Sequence, residues 1–164
     1  VASSQPDSEF MYALAEVRLV IEPDVAALAA RHANDEEIER IATAYEHLEA
    51  VEENDEEAWA RADLEFHSSI VDSCHNEFLA YIVRAIRKPL YSRRLINIPL
   101  ASMMKPEDVV EPYKSPREEV LARHYALFEA IKQHDEAAAQ KASCLLMQRV
   151  TTFIMGEEFS ESCD

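Results

Sequence analysis

Glycine is almost absent from this chain: Gly156 is the only one in 164 residues. Phosphate-binding loops need glycine so that backbone N–H groups can close on the anion, so a nucleotide cradle is excluded. Cysteine is scarce too. Cys74, Cys144 and Cys163 are an odd number with no Cys-x-x-Cys spacing. That argues against a disulfide frame and a cysteine-only zinc site, and it suits a reducing cytoplasm. No apolar run approaches the ~18 residues of a membrane span, and no signal peptide is recognisable. Positive charge is in deficit, with 16 basic against 32 acidic residues and a formal net charge of -16. Such a surface is a poor partner for nucleic acid. No histidine has a glutamate three residues before it, which excludes the Glu-x-x-His pairs of a ferritin-like di-iron site. His-Glu-x-x-His and Gly-x-Ser-x-Gly motifs are also missing.

What is present is helix-forming sequence. Alanine, leucine and glutamate abound and β-branched runs are few, so one all-α domain is expected, an antiparallel bundle of six or seven helices. The first helical pattern runs from Ser8 to Ala33, with Leu14, Val17, Ile21, Val25 and Leu28 on one face and Pro23 as a kink or break. Asn34-Asp35-Glu36-Glu37 reads as a capping box opening a second helix through Ile41, Tyr45 and Leu48. After an acidic turn, Asn54 or Asp55 caps a third, and His75-Asn76 separates it from a fourth. That fourth helix carries Phe78, Leu79, Ile82 and Ile86 inward and ends near Arg94. Four prolines between Ile98 and Pro116 make an irregular connection. Ser115-Pro116-x-Glu118 starts another helix, and Asp135 caps the last, whose apolar face holds Ala138, Ala142, Leu145, Leu146, Val150 and Phe153.

Within the third helix, Asp63 and His67 lie in the same stripe as Trp59, Ala62, Phe66, Ile70 and Val71. They stand four residues apart, roughly 40° around the axis. Burying a carboxylate and an imidazole costs several kcal/mol unless they are paired or bind a metal. His124, between Leu121 and Leu127, is a second histidine on an apolar face; the other four fall at helix ends or on polar faces. Two readings follow. The three residues ligate a divalent ion such as zinc, nickel, iron or manganese, or they are a satisfied core cluster without metal. Arg18 also lies in an apolar stripe and needs an anion, either an internal carboxylate or that of a bound acid. Arg93 and Arg94 flank the irregular connection as surface residues that can guide an anionic ligand.

Glu16-Val17-Arg18-Leu19-Val20-Ile21-Glu22-Pro23, followed by Ala26-Ala27-Leu28-Ala29-Ala30-Arg31, resembles the opening helix of the FadR-type C-terminal domain (FCD) of GntR-family transcription regulators. Asp63-x-x-Phe66-His67 with His75-Asn76 and Phe78-Leu79 resembles the next signature. His124, then Leu127-Phe128-Glu129-Ala130-Ile131 and Asp135-x-x-Ala138, resembles the third. The resemblance covers Tyr12 to Phe153. Val1-Ala2-Ser3 is similar to the end of a winged helix-turn-helix domain. Residues 1–7 are therefore expected to be a linker from a missing DNA-binding domain, 8–156 the effector-binding and dimerisation domain, and 157–164 a tail.

The resemblance implies a homodimer that binds a small carboxylate or sugar-acid effector and reaches DNA only through the missing domain. It implies an effector site at Arg18, Asp63, His67 and His124 and no catalytic residues. It also implies a divalent metal (Zn, Ni or Mn) held by Asp63, His67, His124 and a fourth histidine. That fourth position falls on Leu146, which cannot coordinate. Three protein ligands with water or effector, a substitute from Gln148 or Cys144, or a metal-free pocket are the alternatives. Two other classes remain in view: a metal-dependent helical-bundle enzyme using Asp63, His67 and His124, and a helical interaction module with structural polar residues.

Overall fold

A computed structural model describes residues 8–92 and 105–155. Arg93, Arg94, Cys163, the expected linker 1–7 and the expected tail 157–164 lie outside the described residues. The described chain is all-α: α1 (Ser8–His32), α2 (Asp35–Ala50), α3 (Glu56–Asp72), α4 (Glu77–Ser92), a single 3₁₀ turn (Pro106–Asp108), α5 (Pro116–Lys132) and α6 (Glu136–Met155). No strand occurs among the described residues. α1 packs along α6 and also meets α3, α4 and α5, so it is the central element of the bundle.

Local chemistry sets the boundaries. Asn34 accepts from the Glu37 amide at 2.9 Å while the Glu37 carboxylate accepts from the Asn34 amide at 2.9 Å, a complete capping box. Asp55, Ser115 and Asp135 each accept the amide three residues on, at 2.9, 3.1 and 2.9 Å. α1 runs through Pro23 without splitting into two helices; the lost bond toward Leu19 is tolerated inside a helix held by its neighbours. With so little glycine, two histidines supply left-handed backbone after helices: His75 (φ 53°) after α3 and His134 (φ 56°) after α5. At the second, Asp135 N–H bonds Ala130 O and His134 N–H bonds Ile131 O, both at 3.0 Å, closing a Schellman motif. His134 Nδ1 then donates to Ala30 O at 2.7 Å, tying this turn to the end of α1.

The core is one continuous cluster around Ile41, Phe66, Leu127, Ile131, Leu146 and Met147, with a satellite of Leu48, Trp59, Ala62 and Val120. Burying each large apolar side chain contributes about 1.5–3 kcal/mol, so this cluster dominates stability. The expected inward faces need three corrections. Val17 is 39 % exposed, because the buried face of α1 is turned toward Leu14, Arg18, Glu22, Val25 and Ala29. Phe78 is 72 % exposed, because α4 buries Ala80, Val83 and Arg87 instead. On α6, Leu145 and Ala138 face outward, while Ala139, Leu146 and Met147 face in.

Candidate functional site

α3 and α5 bring Asp63, His67 and His124 together, with one ligand atom from each lying within 4.8 Å of the others. Asp63 and His67 share a face of α3 because they are one helical turn apart. His124 comes from α5, whose buried face runs Val120, His124, Leu127 and Ile131. Phe66 wedges against both imidazoles edge-on, at ring separations of 5.4 and 5.3 Å, and the two imidazoles sit 5.3 Å apart. Packed aromatic edges fix where the ring nitrogens point.

Hydrogen bonding decides the tautomer of His124. Its Nδ1 lies 2.7 Å from the Val120 carbonyl, which can only accept, so Nδ1 carries the proton. Nε2 points at Asp63 Oδ1 from 3.1 Å, where it either donates a second proton or offers a lone pair. His67 Nε2 approaches the same oxygen at 3.7 Å. A lone pair facing a carboxylate is repulsive unless a proton or cation lies between them. Burial, with the nearby Arg87 cation, pushes His67 down to about 3 despite Asp63, so its imidazole is neutral at pH 7. Burial alone would raise the Asp63 carboxyl, but the two imidazoles and Arg87 outweigh it and hold it well below the usual range. An ionised carboxylate beside two imidazole nitrogens is a donor set for a divalent ion. Ligand atoms bound at about 2.0–2.2 Å to one ion stand about 3–3.5 Å apart, close to the separations here. The residues fit a metal.

The structure places the remaining site candidates as follows. Arg18 is 8 % exposed and donates its Nε–H to Glu22 Oε1 at 2.7 Å and its Nη2 to Met147 Sδ at 3.2 Å. Leu146, in the register of the fourth ligand, is 1 % exposed and part of the apolar core. Cys144 is disulfide-bonded, so it offers no thiolate as a substitute ligand, and the expectation against disulfides is corrected at this position. Cys74 is a free, buried thiol.

Two residues that sequence reasoning left out border the site. Glu22, 6 % exposed, accepts Arg87 Nε at 3.2 Å and a second bond from Arg87 Nη2. Burial alone would raise its carboxyl, but Arg18 and Arg87 bring it down to about 2. Both Arg87 and Glu22 act electrostatically on His67. The signals existed: Glu22 lies one turn beyond Arg18, and Arg87 continues the Ala80–Val83 stripe of α4.

The chain matches the FCD domain over residues 13–149. It belongs to the FCD domain family. It is 25 % identical over 154 residues to the galactonate operon transcriptional repressor of Escherichia coli K12, spanning 92 % of this chain and 60 % of the repressor. Its fold is shared with a Streptococcus agalactiae GntR structure, with a TM-score of 0.68, 21 % identity, and coverage of 90 % of this chain and 61 % of that one. The chain thus spans about three fifths of these regulators. FCD-domain membership agrees with the resemblance read in the sequence.

Proposed function

We propose that this FCD domain senses a small carboxylate or sugar acid and relays its presence to a DNA-binding domain N-terminal to it. Asp63, His67 and His124 would hold a divalent ion (Zn, Ni or Mn), and Leu146 leaves its remaining positions to water or effector. When bound, the metal supplies Lewis-acid coordination for the effector's oxygens. Arg18 supplies a fixed cation for the acid. The observation carrying this reading is the approach of two imidazole nitrogens to one carboxylate oxygen. The galactonate repressor's name makes sugar acids the first ligands to test.

The response is a population shift: the acid must bind one arrangement of the bundle better than the other, since equal affinity switches nothing. A homodimer is part of this reading. The unpartnered stripe of Phe78 and Tyr81 on α4, 72 % and 69 % exposed, supports an apolar contact between copies. The setting is the cytoplasm; no described helix is long and apolar enough to cross a membrane. Thermal melts with divalent ions and sugar acids test the proposal. Stabilisation by an acid, enhanced by the metal and lost in Asp63→Asn, is expected. Absence of any ligand-dependent shift would contradict it.

A further inference from the structure

The two imidazoles of the site are oriented in different ways. His124 is fixed by a hydrogen bond, its Nδ1–H donating to the Val120 carbonyl at 2.7 Å. His67 Nε2 stands 3.7 Å from Asp63 Oδ1, beyond hydrogen-bond reach, so packing sets the direction of that ring. Phe66 meets His67 at 5.4 Å with an interplanar angle of 77°, and it meets His124 at 5.3 Å and 63°. Being fully buried, Phe66 cannot turn without moving both imidazoles. Phe66 in turn meets the ring of Tyr45 edge-on, at 6.2 Å and 66°. Tyr45 comes from α2, a helix that packs on α3 and α5 but supplies none of the three ligands. Its own ring is pinned by further contacts. It stacks on Phe128 at 6.1 Å and 11° and leans on Tyr125 at 5.5 Å, while its hydroxyl bonds the Glu49 carboxylate one turn on. Burial, helped by Glu49 and Tyr125, pushes the phenol up to about 12, so the hydroxyl keeps its proton and stays a donor at pH 7.

We propose that Tyr45 is a positioning residue for the metal site: acting through Phe66, it holds the His67 and His124 rings where both Nε2 atoms converge on Asp63. This rests on the reading of Asp63, His67 and His124 as a metal site and extends that site's support to a third helix. An imidazole binds through one in-plane lone pair, so a ring swung off its direction loses the bond. Leu146, in the register of a fourth ligand, offers nothing to compensate. Any change in how α2 packs on its neighbours therefore reaches the site through a single ring contact.

The test measures Zn²⁺ affinity by competition with a chromophoric chelator, and the visible spectrum of Co²⁺ bound in its place. Both are read on the purified chain, below the melting temperature of each variant. Tyr45→Leu should bind Zn²⁺ about tenfold more weakly and shift or weaken the Co²⁺ bands. Tyr45→Phe keeps the ring and loses only the Glu49 bond, so affinity and spectrum should match the wild type. Tyr45→Met, which fills the space without a ring, should behave as Tyr45→Leu and replaces it if that variant does not fold. Ile41→Ala is the control. Ile41 is fully buried in the same cluster and on the same helix, outside these ring contacts, so its loss should lower Tm and leave both metal readouts unchanged. Wild-type affinity and spectrum in Tyr45→Leu and Tyr45→Met would overturn the positioning role and leave the metal site standing. Equal weakening in Ile41→Ala would overturn it as well, because loosened packing would then account for the loss. A wild-type chain that binds neither ion would contradict both.

Discussion

The domain buries two sets of ion pairs, and they differ in how completely their hydrogen bonds are used. Glu119 on α5 is fully buried and saturated. It accepts Arg149 Nε at 2.7 Å, Arg149 Nη2 at 3.1 Å, Arg123 Nε at 3.0 Å and the Val110 amide at 3.3 Å. Arg149 also donates to the Asp108 carbonyl, so the cluster staples the 3₁₀ segment onto α5 and α6. The second set, around Asp63, His67, His124 and Arg18, is unsaturated. Two imidazole nitrogens crowd one carboxylate oxygen, and a guanidinium edge rests on sulfur. Saturated clusters hold a fold together; unsaturated ones have room for something else to bind.

Breaking the saturated cluster should have the largest effect. Glu119→Gln leaves two arginines without their shared carboxylate and should lower unfolding free energy by about 3 kcal/mol in urea titrations, at the low end of buried-pair losses because both arginines keep some solvent. Metal and acid binding should be unchanged.

The next effect is a pH dependence carried by Glu22. Its folded carboxyl lies near 2, against 4.5 for the exposed group. A depressed pKa means that the unfolded chain takes up the proton first. Glu22 therefore contributes full stability above pH 4.5 and loses it as pH falls toward 2. The shift corresponds to about 3 kcal/mol. In Glu22→Gln this part of the acid limb should flatten, read as a smaller pH slope of the urea midpoint between 4.5 and 2.

Arg18→Gln sharpens the contrast. Glu22 keeps the Arg87 fork, so the loss should be about 1 kcal/mol, well below that of Glu119→Gln. A loss as large as that of Glu119→Gln would place Arg18 with the structural cluster. Smallest is Arg61→Ala. Arg61 and Glu57 pair at 2.6 Å with side chains 65 % and 85 % exposed, so denaturant midpoints should stay within experimental scatter.

Much of this was legible in sequence. Helix starts were readable because Asn34, Asp55, Ser115 and Asp135 cap through a local side-chain bond that the residue type announces. Asp63, His67 and His124 stood out as polar residues inside apolar stripes. The inward face of α1 was not legible from apolar periodicity, because it is lined by Arg18 and Glu22 while Val17 and Val20 face outward. Polar residues that satisfy each other are silent in a hydrophobic pattern. Arg87 was hidden for the same reason, since its partner lies on α1, 65 positions away in the chain. Cys144 depended on a pairing that spacing does not reveal.

The central claim, that Asp63, His67 and His124 hold a divalent ion despite Leu146, is tested most directly by elemental analysis of the purified domain. Samples would be taken before and after equilibration with Zn²⁺, Ni²⁺ and Mn²⁺, with His67→Ala alongside. The account predicts about one ion per chain in the wild type and none retained by the variant, since losing one of three protein ligands should dismantle a site already short of a fourth. A folded wild-type domain that retains no ion under any of these conditions would contradict it.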